Sequence, residues 1–289
     1  MLLQRLLDTS PRQWASYLVG RHAKAALRRL DEIDPAVFVL STGRVGTKTL
    51  SELAALAPGV VAHHEPQPTL YGLSRAAYST PTDGCDDILR EAFTALRGQL
   101  LQLSIARGCG YIETSPQLTF LAPAILAAIP NARFLHVVRH PADVVRSGMR
   151  RKWYRGHFSD PKRITPRPGD EHAEGWSQYD AFQKNLWLWS ATNTWIGDFF
   201  AALPECQRLL VRAEALFSGN TEEMKNFYRF LDSELPSDRK ISAVLERKSN
   251  AQKKGDFPRA PEWSDQMRQE GERICGRAAR NLGYDFSSD

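Results

Sequence analysis

Two apolar runs fix the class of fold before any other feature of the chain. AVFVL (36–40) and RFLHVV (133–138) are continuous and do not alternate with polar residues. A strand of that kind is covered on both faces, as in a parallel sheet held between two layers of helices. Three more β-type runs follow, VVAHH (60–64), GYIETS (110–115) and RLLVR (208–212). Helical patterns near 47–57, 86–107, 119–128, 141–152 and 176–202 are interspersed with them. Such alternation makes parallel strands joined by crossover helices. The expectation is an α/β, three-layer sandwich with a central parallel sheet. Residues 155–175, rich in Pro, Gly, His and charge, read as a long surface loop placed to cover a site. The stretch from Trp263 to Leu282 reads as a helix that ends at Gly283.

A chain of 289 residues has room for a sizeable core. We divide it into an N-terminal helical extension, 1–34, and a single domain, 35–289. Residues 12–30 mix Trp14, Tyr17 and Leu18 with Arg21, Lys24, Arg28 and Arg29. This is an amphipathic helix packed on the domain, with peripheral contact to a membrane or a partner left open. No run approaches the length of a transmembrane helix. The first residues contain acids and lack the apolar centre of a secretory signal, so a cytoplasmic protein is expected. The formal net charge of +5 suits a polyanionic ligand of nucleotide size, and no nucleic-acid-binding motif accompanies it. Cys85, Cys109, Cys206 and Cys275 are widely spaced and read as buried free thiols.

The first strand runs into S-T-G-R-V-G-T-K-T-L (41–50), which is almost a phosphate-binding P-loop. The pattern G-x-x-x-x-G-K-[ST] finds its last two letters in Lys48 and Thr49. Thr47 and Thr42 stand where its two glycines belong. A magnesium-holding acid after a strand is also missing, because Asp143 follows Pro141 inside a helix pattern. An anion site remains. Gly43 and Gly46 allow close backbone approach, and the N–H groups of residues 46–49 open a helix whose dipole favours negative charge. Arg44, Thr47, Lys48 and Thr49 add charge and hydroxyls. The plainer alternative is a strand-to-helix turn with two exposed basic residues.

A second motif, FLHVVRHPADVVRSG, puts Arg139 just past a buried strand and Ser147 eight residues on, with Arg146 beside it. Pro141 suits a helix start, where its missing N–H costs nothing. Two anion sites at the ends of parallel strands suit a nucleotide with both 5′ and 3′ phosphates. At these residues the chain resembles the sulfotransferases that use 3′-phosphoadenosine 5′-phosphosulfate (PAPS). STGRVGTKTL is similar to their 5′-phosphosulfate loop and VVRHPADVVRS to their 3′-phosphate motif. HHEPQP stands where many members carry a catalytic acid. LVRAEAL (210–216), RKSNAQKKGDFP (247–258) and the ICGRAARNLGY ending fit the same family. Many cytosolic members have Lys where this chain has Arg44; protein-tyrosine sulfotransferases and many bacterial members have Arg there.

The resemblance implies a P-loop-like nucleotide-binding fold, PAPS as co-substrate and no metal. It implies nucleotide contacts from Arg44, Val45, Gly46, Thr47, Lys48, Thr49, Arg139 and Ser147, and from Arg247 and Lys248 in a basic loop that also holds Asn250, Lys253 and Lys254. Glu65 is the candidate general base, with Arg44 and Lys48 stabilising the transferring group. His63 and His64 are alternative bases, and no third ligand at metal-site spacing joins them. Glu113, Thr114 and Ser115 end a strand and stand open as acceptor-side lining or as a structural turn. Trp176, Trp187, Trp189 and Trp195 read as core along one helix. The expected activity is sulfuryl transfer to a hydroxyl or amine of a small molecule or glycan. A P-loop nucleotide kinase and a catalytically silent nucleotide-binding protein are the alternatives. Acceptor identity and oligomeric state are not written in the sequence.

Overall fold

The computed structural model describes residues 30–80, 86–247 and 256–286. Five strands, β1 (Ala36–Leu40), β2 (Val60–His63), β3 (Gly110–Glu113), β4 (Arg133–Val138) and β5 (Arg208–Arg212), form one sheet in the order β2-β3-β1-β4-β5. All four pairings are parallel. β1 is central; Val37 lies between Ile112 of β3 and Arg133 of β4.

The unbroken apolar runs are explained by the two layers. Val37, Val39, Leu135 and Val137 face one core with Leu50, Trp189 and Phe227. Phe38, Leu40 and Phe134 face the other with Phe93, Leu101 and Leu121. Neighbouring residues of one strand point to opposite faces, and both faces are dry.

Ten α-helices are present among the described residues: α1 (Thr47–Ala54), α2 (Tyr71–Ser79), α3 (Asp86–Ala106), α4 (Ala122–Ala128), α5 (Pro141–Arg150), α6 (Ala181–Ala201), α7 (Ala213–Phe217), α8 (Thr221–Phe230), α9 (Asp238–Leu245) and α10 (Asp265–Asn281). β1, β4 and β5 have the expected bounds. The expected helix at 119–128 starts in a 3-10 turn, Pro116–Leu121, before α4. The helix expected from 176 starts at Ala181, because Asp180 and Gln183 form a capping box that satisfies its first N–H groups. Trp176 therefore lies in the preceding loop. Trp187 and Trp189 are buried in the core. Trp189 Nε1 donates to the carbonyl of Arg139 at 2.9 Å, fixing α6 to the exit of β4.

The described cysteines are free thiols, but only Cys275 is buried; Cys109 is partly exposed and Cys206 exposed. Cys85 and the amphipathic segment 12–29 lie outside the described residues. No described helix is long and apolar enough to cross a membrane.

Candidate active site

The loop leaving β1 is held from beneath. Ser41 N donates to Thr119 Oγ1, and Thr119 Oγ1 donates to the Ser41 carbonyl, both at 3.0 Å. Gly43, Arg44 and Gly46 all have positive φ, at 77°, 62° and 93°. For Arg44 this left-handed conformation is strained and is imposed by the turn around it. A Cβ on Gly46 would stand 2.4 Å from the Phe217 ring, so that position needs glycine for space as well as for φ. The turn sends the Arg44 side chain across to α5, where Nε donates to Ser147 Oγ at 2.8 Å.

The second wall is α5. Pro141 occupies its first turn and His140 Nδ1 accepts from Ala142 N at 3.2 Å, capping the helix. Arg139, at the exit of β4, is ion-paired with Asp143 at 2.8 Å. Arg146 Nε donates to the Phe257 carbonyl at 2.9 Å, which ties the segment after the basic loop to this wall. Arg151 follows Ser147 by one helical turn, and its Nε is buried without a hydrogen-bond partner among the described residues.

Between the walls lies a cleft of about 870 Å³ at the carboxyl edge of the sheet. Nine Arg and Lys side chains line it, against the two acids Glu65 and Asp143. Burial, then the neighbouring Arg151 and Arg139, push the Arg44 pKa down to about 10, with Glu65 working the other way. Arg44 remains a cation at neutral pH.

Glu65 follows β2 with a φ of 44° and lines the cleft. It makes no hydrogen bond or ion pair among the described residues, yet its charge raises the pKa of both Arg44 and Tyr71. His64 also lines the cleft, but its Nδ1 is within 3.0 Å of the Thr114 carbonyl and 3.1 Å of Thr114 Oγ1. His63 packs on Tyr111 at 5.1 Å between ring centres, does not line the cleft, and has its pKa lowered by burial.

The cleft thus gathers Arg44, Gly46, Thr47, Lys48, Thr49, Glu65, Arg139 and Ser147. The Val45 side chain is buried in the core, leaving only its backbone toward a ligand. Arg247 is exposed after α9 and is not among the lining residues. Lys248, Asn250, Lys253 and Lys254 lie outside the described residues. Glu113, Thr114 and Ser115 are fully buried and are not among the residues lining the cleft. Sequence reasoning missed Arg151, Tyr71, Gln117 and Arg163. Arg151 had a signal in its one-turn spacing from Ser147; the other three come from a helix, a 3-10 turn and a loop without motifs.

Parallel strands with a strand–turn–helix segment at their carboxyl edge define an α/β protein whose basic cleft lies where such sheets bind ligands. The sequence profile of the sulfotransferase family matches residues 35–237, and the chain belongs to that family. It is a transferase of the sulfuryl-transferring class. No curated protein sequence matches it. Among solved structures, the sulfotransferase domain from the curacin biosynthetic pathway is 16% identical with a TM-score of 0.50, over 88% of this chain and 99% of that one. A sulfotransferase from Alicyclobacillus acidocaldarius is 15% identical with a TM-score of 0.51, over 86% and 94%. Sulfotransferase STF9 from Mycobacterium avium is 11% identical, also with a TM-score of 0.51, over 92% and 83%. These likenesses are of fold.

Proposed function

We propose that the protein transfers a sulfuryl group from PAPS to an acceptor hydroxyl, with Glu65 as general base. The observation that carries this reading is the hydrogen bond from Arg44 to Ser147, which brings together two phosphate motifs 103 residues apart in sequence. Lys48, Thr47 and Thr49 extend the Arg44 side of the cleft toward the 5′-phosphosulfate. Arg139 and Ser147 serve the 3′-phosphate, with Arg139 exchanging some of its contact with Asp143 for the ligand.

The acceptor oxygen attacks sulfur as its proton passes to Glu65. The new O–S bond forms while the bond from sulfur to the bridging phosphate oxygen breaks, leaving 3′,5′-bisphosphoadenosine. Arg44 and Lys48 face the charge that builds on the bridging oxygen and the transferring group, and preorganised cations of this kind supply most of the rate. Glu65 suits its role because all its acceptor capacity is unspent and it lies beside the cationic cradle.

Calorimetric titration with 3′,5′-bisphosphoadenosine and with AMP tests the donor. The bisphosphate is expected to bind on the order of tenfold to a hundredfold more tightly, the worth of charge-assisted hydrogen bonds to the extra phosphate. Equal affinities would remove the reading. Transfer of label from sulfur-labelled PAPS to an acceptor separates an enzyme from a silent nucleotide-binding protein.

A further inference from the structure

The cleft is more positive than the donor nucleotide requires. Nine Arg and Lys side chains face two acids, whereas the phosphate and phosphosulfate of PAPS carry only about four negative charges. Three of the nine lie outside the β1 loop and the stretch from Arg139 to Arg151, and they line a further wall: Arg75 from α2, and Lys162 and Arg163 from the loop that follows α5.

Two of these three are held in place. Arg75 Nη1 donates to the Pro161 carbonyl. Arg163 stacks over the Trp153 ring at 3.8 Å and donates through Nε to Asp160 at 3.0 Å. Lys162 is exposed and has no partner among the described residues.

A second, independent observation lies beside them. Gln117 lines the cleft with 1% of its surface exposed. Its Oε1 accepts from Leu70 N, while Nε2 is buried beside the Tyr71 hydroxyl and makes no hydrogen bond of ordinary geometry, with that hydroxyl or any other described group. A buried donor left unsatisfied is costly, and an arriving ligand oxygen removes that cost. The Tyr71 hydroxyl feels Glu65, Arg163, Arg44 and Gln117 together, so this wall adjoins the proposed base.

We propose that this wall is an oxyanion subsite for the acceptor: the acceptor alcohol carries a phosphate or carboxylate of its own, which docks on Arg75, Lys162 and Arg163 while Gln117 Nε2 donates to one of its oxygens and the reacting hydroxyl faces Glu65. The inference rests on the sulfuryl-transfer reading above and narrows its substrate class to anionic alcohols.

The test is calorimetric titration of inorganic phosphate, and separately of acetate, into protein saturated with 3′,5′-bisphosphoadenosine, so that the donor's own phosphate positions are filled. The wild type should bind one further oxyanion. The double variant Arg75→Gln, Lys162→Gln should bind it about tenfold more weakly or worse, as expected for the loss of charge-assisted contacts. Tighter binding of phosphate than of acetate assigns a phosphate-bearing acceptor, the reverse a carboxylate, and either supports the subsite. Absence of the extra site in the wild type, or equal binding in wild type and variant, overturns it. If the double variant is misfolded, Lys162→Gln alone, at an exposed side chain, answers the same question. A turnover comparison of a short diol, its monophosphate and the matching hydroxy acid should favour the anionic acceptors, and equal rates for all three count against the subsite. Loss of bisphosphate binding itself would instead strike the sulfotransferase reading, whereas intact bisphosphate binding without the extra oxyanion removes the subsite alone.

Discussion

The exits of β2 and β3 place two glutamates at almost the same level of the sheet and give them opposite fates. His63 is in register with Glu113, and Glu65 comes two residues later. Glu113 is wholly buried; it accepts from Arg97 Nε at 2.8 Å, Arg97 Nη2 at 3.0 Å and the Tyr111 hydroxyl at 2.7 Å. Arg97, equally buried, also donates to the carbonyls of Pro68 at 2.9 Å and Pro66 at 3.4 Å. Glu65 has no such partner. The locked carboxylate anchors the segment that leaves the free one facing the cleft. The two carboxylates differ in how many of their acceptor positions are already taken, and the proposed assignment of Glu65 as base rests on that difference.

The largest expected effect falls on the free member. Glu65→Gln keeps the shape but cannot take a proton, and turnover should fall by about 10² to 10⁴ with bisphosphate affinity and melting temperature nearly unchanged. Single-turnover kinetics beside calorimetry decides this; near-normal turnover would hand the base to His64. At the locked member the loss should appear in stability. Glu113→Gln leaves the Arg97 guanidinium buried without a counter-charge, and such a break costs about 3–5 kcal/mol. Denaturant unfolding of the variant measures it, and a loss below about 1 kcal/mol would show that the pair is not an anchor.

His136, on β4, is a buried polar group without any charged partner, and it isolates the effect of pH. Burial lowers its pKa from 6.5 to about 4, with the hydrogen bond to Asn193 acting the other way. Between those values the unfolded chain takes a proton that the folded chain refuses, so stability is complete above 6.5 and declines as pH falls toward 4. The decline should be on the order of 3 kcal/mol and should be absent from His136→Asn, as read from unfolding at pH 7.5 and at pH 4.5.

The smallest effect is expected at a charge that is already shared. Arg139→Ala should weaken bisphosphate binding roughly tenfold to a hundredfold with little change in turnover at saturation, because the proposed partner of Arg139 is the 3′-phosphate, remote from the reacting sulfur. A large fall in saturated turnover would move Arg139 into the chemistry.

The contrast also shows what was legible. β1 and β4 could be delimited because runs covered on both faces leave no other periodicity, β5 kept its expected bounds although it is an edge strand with Leu210 exposed, and the Arg44 and Ser147 motifs could be named because each starts at a strand end. Glu65 and Glu113 could not be told apart, since the sequence gives no sign that Arg97, sixteen residues before Glu113 on α3, reaches its carboxylate. α2 starts at Tyr71 behind Leu70, which offers no side-chain cap, and so has no written beginning. α8 did have one: Asn220 accepts from the backbone N–H of Glu222 and Glu223, a cap signal that reasoning from apolar periodicity passes over. The acceptor wall is assembled from segments with no shared motif, and only tertiary contact reveals it.

The loop after α5 has almost no regular structure, but it is knotted around Asp160. That carboxylate accepts from the N–H groups of Tyr154 at 3.0 Å, Gly156 at 3.0 Å and His157 at 2.8 Å, and from Arg163 Nε at 3.0 Å. Burial opposes its charge, and the Tyr154 N–H, the Arg163 guanidinium and the His157 N–H overcome that to hold its pKa below the usual range. The consequence is entropic. Ordering a flexible residue costs roughly 1–2 kcal/mol, and here that cost falls on folding instead of on ligand capture. A wall set in this way can discriminate between small acceptors by shape and charge with few contacts, because none of their binding energy is diverted into arranging the loop.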